Sequence, residues 1–236
     1  RTQSTKRAYL HTDTAMSRLG MTTAATKQTI LEASEAGIQI DVIMSHLACA
    51  DEPDNSLNNR QRERLEACCT YAPQIPVSLA NSGGILLGPD YHYQLTRPGI
   101  SLYGCSADDS PSEFLQSAVM WEADILQIAE VPAGSSIGYG ASFTAKTDMF
   151  VATIGAGYAD GYPRDLSGRA YVEIAGSLAP LVGRVSMDVI TVDISALTPS
   201  QRSAAQHACL IGPHYSPSEM AADTHTISYE ILTGLG

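Results

Sequence analysis

Four groups of polar residues each follow a short apolar run in the first hundred residues. Asp13 to Arg18 follow the first run, His46 the second, Asn81-Ser82 the third and Arg97-Pro98-Gly99-Ile100 the last. The carboxyl ends of the strands of a (β/α)₈ barrel form the face where active sites lie. Backbone N–H groups at such a rim bind anions well, so a phosphate would suit it. Asn81 and Ser82 alone could equally be helix caps, but four polar sites on one rim indicate a binding site.

The apolar pattern predicts alternating strands and helices that would position these residues. The predicted strands are Ala8–Thr12, Ile38–Met44, Ile75–Ala80 and Leu95–Tyr103, and the predicted helices are Ala24–Ala36 and Asn58–Tyr71. Strands separated by helices of this length imply parallel βα units. A closed (β/α)₈ barrel needs about 250 residues, so we expect residues 1–110 to be its second half.

After Pro111 the pattern becomes rich in β-branched residues, with glycine and proline between the runs and little helix. The predicted strands are Val119–Val131, Phe150–Ile154, Tyr171–Ile174 and Val189–Ile194. This pattern is typical of an antiparallel sheet. The expected fold class is therefore α/β plus β, with a partial TIM-type barrel before a β domain at residues 111–236.

The composition excludes several classes of protein. A net charge of −11 argues against a nucleic-acid surface, and no apolar run approaches the roughly 20 residues of a membrane helix. The six scattered histidines have no metal-ligand spacing. Five cysteines without a CxxC pair favour a reduced, cytoplasmic protein. Because the chain starts without Met and stops at an apparent helix start, we expect an internal piece of a longer protein.

A tyrosine between two glycines, Tyr139, lies in the stretch Ile137–Ala145. Glycines let the backbone turn sharply there and leave the phenol uncovered. The motifs Arg97–Gly104, Gly155–Arg164 and Val182–Asp188 stand before and after it. In this order and spacing they closely resemble the alanine racemase family of pyridoxal-phosphate enzymes, from about Tyr9 to the last residue.

The resemblance implies a cofactor site on the barrel rim. Arg97 would hydrogen-bond the pyridine nitrogen of pyridoxal 5'-phosphate, and an arginine stays protonated at any working pH. The ring nitrogen would stay unprotonated, which limits side reactions such as transamination and requires a well-placed base on each face. The residues that would surround the phosphate are Asn81, Ser82, Gly99, Ile100 and Tyr229.

Tyr139 is the expected base on one face. A free tyrosine has a pKa near 10, and cationic neighbours favour its phenolate, which the resemblance supplies as a chain Tyr139–His46–Arg97. The family places this tyrosine in the neighbouring subunit's site, so we expect a homodimer. The other base is the family's cofactor lysine. Lys6, Lys27 and Lys146 lack its sequence context, so we expect it before residue 1 and the 236-residue piece to be inactive alone.

Arg18 and the backbone N–H of Met187 match the family's contacts to the substrate carboxylate. Further matches line the access passage to the site: Asp51, Tyr158, Arg164, Arg184 and Ile227. Small walls of this sort favour alanine over larger amino acids.

Four positions depart from the family pattern. Ala15 and Ser17 stand where glycine is usual. His11 stands where many members have a carbamylated lysine that orients the Arg18 equivalent, so this arginine must be held differently here. Ser78 stands where some members have a histidine that supports the Arg97 equivalent.

We therefore expect a cytoplasmic alanine racemase that interconverts L- and D-alanine and supplies D-alanine for peptidoglycan. One alternative is a racemase for serine or for a broader set of amino acids. Another is a non-catalytic cofactor-binding or interaction protein. Neither a nucleic acid nor a membrane is an expected partner.

Overall fold

The computed structural model describes residues 6–235. They form two compact units. The first contains the residues up to Leu102 together with Ser106–Ser110, and the second contains Tyr103–Cys105 and the residues from Pro111 onwards.

The first unit is built on a parallel three-stranded sheet in the order β1-β2-β3. Helices connect consecutive strands, as parallel pairing requires. In chain order the elements are β1 Arg7–His11, α1 Thr23–Glu35, β2 Gln39–Met44, α2 Ser56–Cys69, β3 Val77–Ser78 and α3 Ser82–Leu86.

Local sequence explains where the two long helices begin. The hydroxyl of Thr22 accepts the N–H of Ala25 before α1, and the side chain of Asn55 accepts the N–H of Leu57 before α2. Such caps satisfy N–H groups that have no partner inside the helix. The core of the unit includes Leu65 of α2, and burying such a side chain contributes about 1.5–3 kcal/mol.

The predicted strand Leu95–Tyr103 is wrong, because this segment is extended without joining the sheet and then forms a 3₁₀ helix at Ile100–Tyr103. Leu95 and Arg97 donate backbone hydrogen bonds to Val77 and Ala80, but Pro98 has no N–H to continue a ladder. The third strand is also shorter than predicted, since only Val77–Ser78 pair with β2.

The second unit contains a six-stranded sheet in the order β10-β7-β4-β11-β8-β9, antiparallel throughout. A bridge between Leu181 and Val192 links its two edges, so the sheet is nearly closed. Its strands are β4 Trp121–Val131, β7 Met149–Ile154, β8 Tyr171–Ile174, β9 Ser177–Pro180, β10 Ile190–Asp193 and β11 His207–Ile211, with a separate pair β5 Ser136–Ile137 and β6 Phe143–Thr144.

Three short helices complete the second unit, and the sequence indicated only the start of the last of them. They are α4 Pro199–Ala204, α5 Pro217–Asp223 and α6 Ser228–Gly234. Met220 of α5 and Ile231 of α6 join the buried core of the sheet. In residues 6–235, no helix has both the length and the apolar character that a membrane span requires.

Candidate active site

Arg97 is anchored at the carboxyl end of the parallel sheet. Its Nη2 donates to the carbonyl of Ser45 at 2.6 Å and to that of Leu79 at 3.3 Å, and its Nη1 donates to Ser78 Oγ. The Ser78 hydroxyl in turn donates to the Leu95 carbonyl at 2.7 Å. The serine that departs from the family pattern therefore accepts a hydrogen bond from the arginine and helps to fix its guanidinium.

His46 lies beside this guanidinium, with Nδ1 3.4 Å from Nη2 of Arg97. Because an arginine and an amide nitrogen only donate, the neutral ring can accept either from Arg97 at Nδ1 or from Asn81 at Nε2, but not from both. Burial and the charge of Arg97 lower the pKa of His46. Asn81 Nδ2 is 3.4 Å from Nε2, while Asn81 Oδ1 accepts the Gly84 N–H at 2.9 Å. The histidine is thus a half-buried neutral ring, oriented by Arg97 and packed against Asn81.

Ser82 connects the start of α3 to the segment after Arg97. Its buried Oγ accepts the N–H of Gly99 at 2.8 Å and that of Ser101 at 3.3 Å. Among the residues that the structure describes, the N–H of Ile100 has no protein acceptor. The fold therefore brings the four predicted phosphate residues of the first unit, Asn81, Ser82, Gly99 and Ile100, to one place.

The turn after β1 is organised by Asp13. Its Oδ1 accepts the N–H groups of Ala15, Met16 and Ser17 at 2.9–3.1 Å, and these bonds lower the pKa of the carboxyl. Ala15 has φ +121° and Ser17 has φ +57°, a region that favours glycine. The two non-glycine residues therefore hold a strained turn immediately before Arg18.

Arg18 is exposed, and it shares the rim with the two histidines. Burial and the charges of Arg97 and Arg18 lower the pKa of His11, and Asp13 partly opposes this. The charges of Arg18 and His11 also contribute to the lowered pKa of His46. The rim thus combines two arginines with two neutral histidines, which suits an anionic ligand.

Tyr139 begins a short 3₁₀ helix, Tyr139–Ala141, in the second unit, and its side chain is 73% exposed. Both flanking glycines have φ near +70°. A Cβ added to Gly140 would lie 3.3 Å from the Arg184 guanidinium, so the arginine packs closely over the glycine. Tyr139 and Arg184 line one cavity of about 420 Å³.

Tyr158 and Met187 meet elsewhere in this unit. Tyr158 donates its N–H to the Ser186 carbonyl, and Ala159 donates to the Met187 carbonyl, both at 3.0 Å. A Cβ on Gly157 would collide with the Met187 carbonyl, so only glycine allows this approach. Within residues 6–235 the Met187 N–H has no protein acceptor.

The remaining predicted residues are spread over both units. Arg164 lies in the 3₁₀ helix Arg164–Leu166 and borders a different cavity of about 340 Å³, which Thr226 and Glu230 also line. Ile227 and Tyr229 stand at the start of α6, and Asp51 lies in an exposed turn before α2.

Buried polar groups that the sequence did not predict lie behind the rim. Gln61, Thr14 and Ser45 are each at most 1% exposed and hydrogen-bonded to one another or to the His46 backbone. Helical spacing could have indicated them, because Asn58 and Gln61 lie on the same buried face of α2 as Leu65.

Comparisons with known proteins identify the family. The model of the alanine racemase N-terminal domain matches residues 1–107, and that of the C-terminal domain matches residues 118–236. The chain belongs to the alanine racemase family. Its resemblance to that family and its fold class, a partial (β/α)₈ barrel followed by an antiparallel β domain, are thereby confirmed.

Individual family members are similar over nearly the whole chain. The catabolic alanine racemase of Agrobacterium fabrum is 45% identical over 234 residues, which are 97% of this chain and 59% of that protein. The alanine racemase of Rickettsia canadensis is 42% identical over 97% of this chain and 63% of its own length. The chain therefore spans about three fifths of the length of these relatives.

Solved alanine racemases have the same fold. The Bartonella henselae enzyme, with covalently bound pyridoxal phosphate, has a TM-score of 0.84 at 38% identity over 98% of this chain and 64% of its own. The Pseudomonas aeruginosa enzyme has a TM-score of 0.83 at 36% identity, over 97% of this chain and 64% of its own.

Proposed function

We propose that this protein is a pyridoxal-phosphate-dependent alanine racemase, which interconverts L- and D-alanine by proton transfer at the α-carbon. The observation that carries the proposal is the anchored guanidinium of Arg97, with His46 at 3.4 Å. Family membership supports it. In this proposal residues 1–110 belong to the cofactor-binding barrel and residues 111–236 to the β domain.

The rim residues fit the cofactor chemically. The Ser82 hydroxyl and the Ile100 N–H would be donors for a phosphate, and Asn81, Gly99 and Tyr229 would complete its surroundings. The Asp13 carboxylate already accepts hydrogen bonds from three backbone N–H groups, so it repels a bound anion only weakly. Bound there, pyridoxal phosphate would supply an electron sink for the α-carbanion.

Arg97 would donate to the ring nitrogen and keep it unprotonated, because a guanidinium does not give up its proton. The three anchoring acceptors explain why it can hold that position: two carbonyls and the Ser78 hydroxyl fix its fork. A ring nitrogen without a proton makes a weaker sink, so both faces of the substrate need an efficient base.

Tyr139 would take or give the α-proton at its hydroxyl on one face, as the first member of the chain Tyr139–His46–Arg97. The exposure of its phenol supports a role toward a second chain, and we propose a homodimer in which each subunit donates Tyr139 to its partner's site. A lysine other than Lys6, Lys27 and Lys146 would act as the base on the other face.

Arg18 and the Met187 N–H would bind the substrate carboxylate. The access passage would be lined by Asp51, Tyr158, Arg164, Arg184 and Ile227. We further propose that the enzyme works in the cytoplasm, where D-alanine is needed for peptidoglycan; the five cysteines form no disulfide, which agrees with a reducing compartment.

The test measures conversion of L-alanine, L-serine and L-lysine by the purified full-length protein with pyridoxal phosphate. We expect alanine to be racemised fastest. Comparable turnover of serine or lysine would identify a broader racemase, and cofactor binding without any turnover would identify a binding protein. Borohydride reduction and peptide mapping would then locate the lysine that holds the cofactor. A reduced adduct on Lys6, Lys27 or Lys146 would contradict the two-base assignment.

A further inference from the structure

Gln61 of α2 makes an unusual set of contacts for a helix residue. Its side chain is fully buried, where an unpaired amide would be costly. Nε2 donates to the His46 carbonyl at 2.9 Å and to Thr14 Oγ1 at 3.2 Å, and Oε1 accepts the Ala48 N–H at 2.8 Å. One amide thus holds the chain on both sides of residue 47, immediately after the His46 ring.

The same amide connects His46 to the other rim segments. Thr14, which Gln61 contacts, lies 2.7 Å from Ser45 Oγ through its hydroxyl, and the Ser45 carbonyl accepts from Arg97. Thr14 also belongs to the turn that leads to Arg18, and its carbonyl accepts from Arg64 of α2 at 3.2 Å. A continuous set of buried hydrogen bonds therefore links α2, the His46 loop and the Asp13 turn.

We propose that Gln61 is a positioning residue of this site. It fixes the position of the His46 backbone relative to Arg97 and to the turn that carries Arg18. Within residues 6–235, the Gln61 side chain bonds the His46 carbonyl, Thr14 and the Ala48 N–H rather than the His46 ring or the Arg97 guanidinium, so it acts through other residues. The inference deepens the proposed racemase function, because His46 matters there through its alignment with Arg97 and Tyr139.

Glutamine is the required side chain for a chemical reason. Two donors face the His46 carbonyl and the Thr14 hydroxyl, while one acceptor faces the Ala48 N–H. A glutamate of the same shape keeps the acceptor, loses both donors and places a negative charge against the His46 carbonyl oxygen. A leucine of similar volume removes the partner of the His46 carbonyl and of the Ala48 N–H, while the Thr14 hydroxyl keeps its contact with Ser45.

The first test needs no activity. In protein with labelled histidine, NMR titration follows the His46 ring, assigned by loss of its signal in His46→Gln. Burial and the charges of Arg97, Arg18 and His11 hold the pKa of His46 below its ordinary value. We expect Gln61→Leu to release the ring toward solvent and raise that pKa toward about 6.5, and Gln61→Glu to raise it further.

Gln28→Glu is the matched control, since Gln28 is an exposed glutamine on α1 that bonds Glu32. It should leave the His46 titration unchanged. If Gln61→Leu does not fold, the His46 titration is measured in Gln61→Glu. If neither variant folds, it is measured in Gln61→Asn, which keeps an amide on a shorter side chain. A wild-type His46 titration in a folded Gln61 variant would overturn the inference, whatever reaction the protein catalyses.

The second test uses the full-length protein loaded with pyridoxal phosphate. We expect Gln61→Leu to slow α-deuterium exchange from L-alanine by roughly 10- to 100-fold, the scale of a misplaced catalytic group. Exchange from D-alanine and KM should change less than about threefold. Equal loss for both enantiomers would contradict positioning of His46. Absence of racemisation in the wild type would refute the proposed function, while the NMR titration would still decide on Gln61.

Discussion

Replacing Ala15 with glycine should stabilise the first unit. Ala15 has φ +121°, where a residue with a Cβ costs about 1–3 kcal/mol. Glycine removes that strain but loses more chain entropy on folding, about 0.5–1 kcal/mol. The N–H that Asp13 accepts at 2.9 Å is retained. The net gain in the free energy of unfolding is therefore about 0–2.5 kcal/mol.

Urea unfolding, followed by circular dichroism, measures this gain. With a slope of roughly 2 kcal/mol per molar urea, each kcal/mol moves the midpoint by about 0.5 M. Ala67→Gly is the control, because Ala67 is an exposed position in α2. It should destabilise by about 0.5–1 kcal/mol. If both substitutions destabilise alike, the strain assigned to Ala15 is absent and the reasoning fails.

Three further predictions concern the rim. The pKa of the Asp13 carboxyl is depressed in the folded protein. The stability that this shift contributes is fully present above the unfolded pKa of about 3.9 and is lost as pH falls through the folded pKa. Urea unfolding of wild type and of Asp13→Asn should therefore differ at pH 6 and converge below pH 4. Arg97→Glu should protonate the ring nitrogen and slow racemisation while pyruvate from transamination rises; unchanged rates of both would remove Arg97 from the site. His11→Lys should keep activity with a modest change in KM, whereas a KM and kcat untouched by His11→Ala would show that His11 does not support Arg18.

The main elements of the first unit follow from local signals. The apolar runs place α1, α2, β1 and β2 within about two residues of their observed bounds. The apolar run before Gly104 misled because periodicity does not register the missing N–H of Pro98. The helices α4 and α5 were predictable, since each has a Ser or Thr cap with a glutamine or glutamate three residues later.

The contacts within the candidate site were harder to predict from the sequence than the fold. Residue types and motifs select Arg97, His46 and Ser82, because these carry recognisable chemistry. They do not reveal that Ser78 accepts from Arg97, or that Gln61 holds the His46 carbonyl 15 residues away. Such partners are fixed by how α2 packs on the sheet, and no local pattern encodes that packing. The strain at Ala15 was only partly predictable. The sequence shows that Ala15 departs from the usual glycine, but it does not show the positive φ at that position.

The most direct test of the proposed two-base racemisation is α-deuterium exchange from each enantiomer of alanine, in the wild-type full-length protein and in its Tyr139→Phe variant. Tyr171→Phe is the control, since Tyr171 is another exposed tyrosine of the second unit. The account predicts that Tyr139→Phe lowers turnover by about 10²–10⁴ and suppresses exchange from L-alanine selectively, with more exchange retained from D-alanine. Equal loss for both enantiomers, or no loss, would contradict the role of Tyr139 as the base on that face.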